Sequence, residues 1–213
     1  SALKCIVSYN KYGGYCVPES SSHRPAATSI LLHNIYEPQT IEYIMHNCGN
    51  GDVIHAGAYF GDFLPAISKN IGLNSKIWAF EPNQESFRCA EITLKINEIQ
   101  NVVLTNAGLG VKQEFLPMKV VNEDGHSLGG ASQIISKDSI DMLKAEMIQV
   151  FAIDDIIGTD RDISIIQLDV ENHEKEALMG GIKTIQRCLP IIILEVLPNS
   201  ELIYSAWFLE NIL

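Results

Sequence analysis

The sequence predicts an α/β fold: a doubly wound, mostly parallel sheet covered by helices, with an antiparallel insertion after the third strand. Three observations predict it. Short, nearly continuous apolar runs alternate with helix-period segments along most of the chain, as strands buried on both faces do. The first run, Val53 and Ile54, ends at His55 and passes through Gly57 and Gly61 into a helical pattern. The second, KIWAFEPN, ends in Glu81. A carboxylate at the tip of that neighbouring strand is placed to accept hydrogen bonds from ribose hydroxyls.

The elements follow in order. Residues 1–28 are rich in Gly, Ser, Tyr and Pro without clean periodicity, so residues 1–36 are expected to form an irregular arm or cap. Residues 37–213 are expected to form the ligand-binding domain. In EPQTIEYIMHN, Ile41, Ile44 and Met45 fall at helical spacing, and the segment Cys48 to Gly51 ends that helix. A strand is expected over 53–56, then a helix near 61–70 with Asp62 at its positive end. A strand over 76–81, a helix near 84–97 and a strand over 101–106 come next, closed by the turn AGLG.

Between 112 and 150 the rhythm breaks into QEFLPMKVV, the glycine-rich EDGHSLGGAS, QIIS and MIQVFAI, which read as inserted antiparallel strands. The alternation resumes with a strand over 163–169, a helix near 173–187 and a strand over 190–196. An amphipathic helix near 201–211 follows.

Composition narrows the class. At 213 residues and 46% hydrophobic, the chain suits one domain with a full core. A net charge of −11 argues against nucleic acid or an anionic membrane as the main partner. The five cysteines (Cys5, Cys16, Cys48, Cys89, Cys188) are scattered, with no C-x-x-C pair. That pattern fits reduced thiols and a cytoplasmic location. The longest apolar stretch, PIIILEVLP, has strand length and is interrupted by Glu195, so no membrane span is expected. No leader-like segment opens the sequence.

The glycine spacing selects the ligand. A dinucleotide fold needs G-x-G-x-x-G to seat a pyrophosphate. Here the pattern is G-x-x-x-G, with Tyr59 and Phe60 inside it, and no P-loop motif occurs. Such a loop suits a nucleoside without pyrophosphate, such as S-adenosylmethionine. A glycine turn entering a helix is also expected to present free backbone N–H groups to a ligand carboxylate or phosphate.

The ordered set of motifs resembles the FkbM-type S-adenosylmethionine-dependent methyltransferases. Four segments carry the likeness: VIHAGAYFGDF, FEPNQESFRCAEITLKIN, VFAIDDII, and IIQLDVENHEKEALMGG followed by PIIILEV. The likeness covers roughly residues 37–197 and implies a Rossmann-like class I methyltransferase fold with S-adenosyl-L-methionine as cofactor. It further implies that Gly57, Ala58 and Gly61 form the loop under the methionine moiety, with His55, Ala56, Tyr59, Asp62 and Asp169 alongside. Glu81 would bind the ribose, Pro82 and Asn83 would shape the adjacent turn, and Asn106 and Ala107 would lie against the adenine. The family usually carries Asp in place of His55, Asn in place of Tyr59, Lys in place of Gln167 and Gly in place of Asn172. Asn tolerates left-handed backbone well enough to keep the last turn.

Asp169 and Glu171 end the fourth parallel strand, where ligands of open α/β sheets bind, and His173 follows. Asp169 or His173 is the expected base for an acceptor hydroxyl, with Glu171 orienting the substrate or else capping the next helix. Glu195 either faces the cleft or finds a partner. Asp154 and Asp155 read as helix caps, and Ser132 and Gln133 as a loop that could close over a ligand. Two carboxylates on one loop commonly occur without metal, so no metal is expected. The resulting expectation is O-methylation of a sugar, glycan or secondary metabolite. The alternative is a catalytically degenerate nucleoside-binding scaffold; an NAD-dependent oxidoreductase is disfavoured by the glycine spacing. Domains of this type end in a further strand pair, for which no segment follows the last helix, and the exposed sheet edge is expected to favour a homodimer.

Overall fold

The computed structural model describes residues 2–136, 145–196 and 201–212. Residues 137–144 of the expected insertion and residues 197–200 after the last expected strand lie outside them. The chain opens with an antiparallel hairpin, β1 (Cys5–Asn10) and β2 (Gly13–Pro18), followed by α1 (Pro25–Leu31) and α2 (Pro38–Asn47). Then come β3 (Asp52–Ala56), α3 (Leu64–Ser68), β4 (Ile77–Phe80), α4 (Gln84–Ile96) and β5 (Val102–Thr105). The insertion holds β6 (Gly108–Leu109), β7 (Glu114–Lys119), β8 (Gln133–Ile134) and β9 (Ala145–Phe151). The last part is α5 (Ile153–Ile156), β10 (Ile163–Leu168), α6 (Glu174–Met179), α7 (Ile182–Cys188), β11 (Ile191–Leu194) and α8 (Ala206–Asn211).

The central sheet has the order β11-β10-β3-β4-β5, and every neighbouring pair is parallel. From β3 the chain winds outward to β5, then returns to β10 and winds the other way. Alternate residues of the strands feed two cores, as period-2 side-chain alternation requires. Val53, Ile77 and Ile165 face Ile41 and Ile44 of α2 and Ile67 of α3. Ile54, Ile166 and Leu168 face Ala177, Leu178 and Ile185 on the opposite side, with Phe208 of α8 closing that core. The doubly wound expectation therefore holds.

Four expectations need correction. Residues 1–28 are not irregular: β2 lies against α4, and Tyr15, Cys16 and Val17 are fully buried there. The Cys16 N–H donates to Thr93 Oγ1 (3.0 Å) and the Gly14 N–H to Asn97 Oδ1 (3.0 Å). The order of this hairpin depends on a helix about eighty residues away, which local periodicity does not register. Second, the helix after β10 is two helices. A Cβ on Gly180 would lie 1.9 Å from the Gly110 carbonyl oxygen, so the chain passes this point as glycine and restarts as α7. Asp154 supplies the new helix end, accepting from the Lys183 and Thr184 N–H groups at 3.0 and 2.8 Å.

Third, the insertion sheet, ordered β6-β9-β7-β8, is antiparallel except for the parallel pair β6 and β9. Its own small core is Met118, Val120, Ile148 and Val150. Fourth, α3 is only five residues long, shorter than the span 61–70 suggested.

The N-terminal end of β3 is locked by Asp52, which is buried. It accepts from Arg161 Nε (2.7 Å), Trp78 Nε1 (2.7 Å) and the Lys76 N–H (2.9 Å). Burial alone would raise the Asp52 pKa, but these donors outweigh it and hold the carboxyl below its ordinary range. A depressed carboxyl pKa adds stability that is present above the unfolded value near 4 and is lost as pH falls through the folded one. Asp52→Asn should therefore cost about 2 kcal/mol near neutral pH, as losing hydrogen bonds to a charged group does, the exposed side of Arg161 screening the rest. Urea unfolding between pH 7 and 3 should show a shallower acid limb in the variant than in the wild type.

Candidate active site

The reversal of winding places the C-terminal ends of β3 and β10 side by side, with Ala56 opposite Leu168. This is the topological switch point, where ligands of such sheets bind. Gly57 has φ +85°, and a Cβ there would lie 1.9 Å from the Asp169 carbonyl oxygen. Only glycine lets the two strand ends approach this closely. The turn's amides are already engaged: the Gly57 and Ala58 N–H groups donate to the Phe80 carbonyl (3.1 and 3.0 Å), and the Gly61 N–H donates to the Ala58 carbonyl (2.7 Å). The Tyr59 N–H donates to Glu81 Oε2 (2.7 Å). The expectation of a turn presenting free N–H groups to a ligand is thus overturned; the tight path of the loop consumes them. Tyr59 sits in left-handed backbone at φ +46°, and its hydroxyl donates to Ser21 Oγ (2.6 Å). Its ring lies under Gly129 and Gly130 of the insertion.

Two cavities open from this junction. The first is lined by Gly57, Phe80, Glu81, Pro82, Ala107, Leu109, Met118 and Asp169, among others. Its lining is mostly apolar with a few polar groups, as in small-ligand pockets. Glu81 is buried, with Oε1 accepting from the Asn83 N–H (2.8 Å). Burial pushes the Glu81 carboxyl up to about 8, although its two backbone N–H donors pull the other way. An apolar slot for a planar ring, a carboxylate at its rim and a glycine at its base fit an adenosine group.

The second cavity shares Gly57, Gly130 and Asp169 with the first. Its walls are polar: Arg24, Tyr36, His55, Asp62, Glu171 and Glu195. Asp169 is hydrogen-bonded to Glu195, and burial followed by that contact raises its carboxyl to about 9. Glu171 is raised by burial and by the charge of Glu195, against the pull of Arg24. Burial lifts Asp62 to about 7. His55 lies opposite Gln167 in the β3–β10 register, and its Nδ1 is hydrogen-bonded to Gln167 Oε1. The imidazole stacks on Phe63 with ring centres 5.2 Å apart. Its Nε2 is buried and has no partner among the described residues. Burial lowers the His55 pKa to about 4, so the ring is neutral at pH 7.

The methyltransferase FkbM domain matches residues 55–206. The chain belongs to this family. Its cofactor is S-adenosylmethionine, and its fold is the Rossmann-like fold of class I methyltransferases. No curated protein sequence matches. Among solved structures, the chain is similar to the methyltransferase FkbM of Methylobacillus flagellatus KT at 20% identity and a TM-score of 0.47. That match covers 68% of this chain and 32% of the other, so the chain spans about a third of that protein's length. It is also similar to a SAM-dependent methyltransferase from Aquifex aeolicus, at 15% identity and a TM-score of 0.42 over 89% of this chain and 80% of that one. A precorrin-6y C5,15-methyltransferase from Geobacter metallireducens GS-15 matches at 16% identity and a TM-score of 0.46, over 81% and 68% of the two chains.

Within this FkbM domain the anticipated site residues separate into three groups. Ala56, Gly57, Glu81, Pro82, Ala107, Asp169 and His173 line the first cavity, together with Ser132 of the insertion. His55, Tyr59, Asp62 and Glu171 line the second, again with Gly57 and Asp169. Ala58, Gly61, Asn83 and Asn106 line neither and build the frame instead. Asn83 Oδ1 caps α4 by accepting from the Glu85 and Ser86 N–H groups, and Asn106 Nδ2 donates to the Glu81 carbonyl (2.8 Å).

His173 begins α6 on the side of the first cavity, its Nδ1 3.7 Å from Glu176 Oε2, so the fold does not gather it with Glu171 and Glu195. Glu171 does not cap α6: it sits in a left-handed turn with Asn172 (φ +51° and +70°) and faces the second cavity. Gln133 starts β8 rather than lining either cavity. Sequence reasoning missed Arg24, Tyr36, Leu109 and Met118, none of which carries a motif. Arg24 alone had a signal, as an arginine just ahead of a proline-started helix in the segment expected to cap the site.

Two outcomes are expected. Glu81→Ala should weaken S-adenosylhomocysteine binding at least about tenfold, since it removes both the ribose acceptor and the Tyr59 N–H tether; calorimetric titration reads this. His55 has a folded pKa below its unfolded value of about 6.5, so its contribution to stability is complete above that value and is lost as pH falls toward 4. His55→Asn should flatten the stability profile between pH 6.5 and 4 in denaturant titrations.

Proposed function

We propose that this domain transfers the methyl group of S-adenosylmethionine to a hydroxyl oxygen on a sugar, glycan or secondary metabolite. The observation that carries the reading is the meeting of two unlike cavities at Gly57 and Asp169. One has the lining of a nucleoside site, and the other is walled by groups that bind hydroxyls. The bound cofactor supplies an electrophilic methyl group on a sulfonium.

The chain's own part is positioning and proton handling, which for a displacement of this kind is most of catalysis. Glu81 holds the ribose edge, and Phe80, Leu109 and Met118 enclose the ring and exclude water. Asp169 stands at the junction, where an acceptor hydroxyl must lie to reach the methyl group. The ionised form of its carboxyl, a minor species at neutral pH but the stronger base for its raised pKa, accepts the hydroxyl proton as the C–O bond forms. The methyl–sulfur bond breaks in the same step, leaving the thioether. Glu171, Glu195 and Tyr36 orient the rest of the acceptor through hydrogen bonds, and Arg24 is the one cation of the wall. A nucleic-acid acceptor suits the site poorly, because a carboxylate wall and a net charge of −11 both repel a polyphosphate. The outer edge of β11, an end strand of the sheet, is the surface on which a homodimer would form.

Incubation with S-adenosylmethionine and a panel of hydroxylated acceptors tests the reading by mass spectrometry. A product heavier by one methylene unit is expected, and Asp169→Asn should lower kcat at least about a hundredfold. Tight S-adenosylhomocysteine binding without turnover on any acceptor would instead support a degenerate scaffold.

A further inference from the structure

The tips of two neighbouring parallel strands, β10 and β11, bring three carboxylates together. Asp169, Glu171 and Glu195 each offer an oxygen within 4.8 Å of the others. No lysine or arginine nitrogen among the described residues forms an ion pair with any of them. An acidic cluster by itself is not a site. A second feature of the same cavity points to a ligand: His55, 2% exposed, lines it, and its buried Nε2 has no hydrogen-bond partner among the described residues. As the Gln167 amide is oriented, its Oε1 accepts from His55 Nδ1–H, so Nε2 carries a lone pair. The cavity thus offers three clustered carboxylates and a neutral imidazole acceptor, all of which call for a positive or hydrogen-donating ligand.

We propose that Asp169, Glu171 and Glu195 hold a divalent cation of the Mg2+ or Mn2+ class, with His55 Nε2 accepting a hydrogen bond from a water of its shell. Oxygen ligands from carboxylates are what hard cations take. Three of them fill only part of an octahedral shell, which leaves positions for water and for acceptor hydroxyl oxygens. A hydroxyl held on such a cation loses its proton more easily, so the cation would favour acceptors with two adjacent hydroxyls. That last step rests on the methyl-transfer reading; the binding of the cation does not.

Titration of the chelator-treated domain with MnCl2, read by electron paramagnetic resonance and calorimetry, tests the site without turnover. One site with a dissociation constant below the order of 1 mM is expected. Glu171→Gln and Glu195→Gln should each weaken it at least tenfold while leaving near-ultraviolet circular dichroism unchanged. His55→Phe should change the water-proton relaxation of bound Mn2+ more than its affinity. Absence of Mn2+ and Mg2+ binding at millimolar concentration would overturn the proposal, as would binding that both carboxylate variants leave intact. So would loss of S-adenosylhomocysteine affinity in Glu171→Gln without any cation binding, since the carboxylates would then hold the cofactor's ammonium group. Cation binding together with no S-adenosylhomocysteine binding to the wild type would sink the methyl-transfer reading and leave the metal site standing.

Discussion

The structure depends on the contact between Gly57 and the Asp169 carbonyl. That approach brings the end of β3 against the end of β10 at the point where the winding of the sheet reverses. Everything functional radiates from it. The glycine turn bends back so sharply that its amides must bond to Phe80 and Glu81, and this joins the turn to β4. Glu81 therefore serves two purposes: its side chain pins the loop and also borders the first cavity. A larger residue at position 57 would push the two strand ends apart and separate the cavities that meet there.

Neighbouring strands explain a substitution that looks disruptive in isolation. His55 and Gln167 stand where the resemblance in the sequence leads one to expect a carboxylate and a lysine. Parallel pairing of β3 and β10 sets them side by side. An ion pair buried at this depth would need full compensation for lost hydration. A neutral imidazole hydrogen-bonded to an amide keeps the cross-strand contact without that cost. It also replaces a charged group by a neutral ring whose second nitrogen is buried without a partner among the described residues.

The walls of the site come from segments remote in sequence. The segment between β2 and α1 brings Arg24, while the insertion brings Met118, Gly129, Gly130 and Ser132. Tyr59 links the two, with its hydroxyl on Ser21 and its ring beneath the paired glycines. A bulky residue inside the glycine turn thus becomes the hinge-pin of the cap. Left-handed backbone at Tyr59, Glu171 and Asn172 is the strain that this arrangement carries, clustered at the site.

The sequence by itself determined the class of fold, the order of the five parallel strands along the chain, the glycine turn, the Glu81 strand end and the Asp169–Glu171 strand end. Each is a local pattern, written in apolar periodicity or in a turn that only glycine permits, and local patterns survive without knowledge of partners. The split of one expected helix at Gly180, the order of the N-terminal hairpin, the use of the turn's amides and the roles of Arg24 and Glu195 were decided only by the tertiary structure. Each of these depends on which distant backbone or side chain arrives alongside. Gly180 faces Gly110, Cys16 faces Thr93, and Glu195 reaches Asp169 only because β11 pairs with β10. Strand register converts scattered residues into a site, and register is a property of the folded sheet rather than of any segment within it.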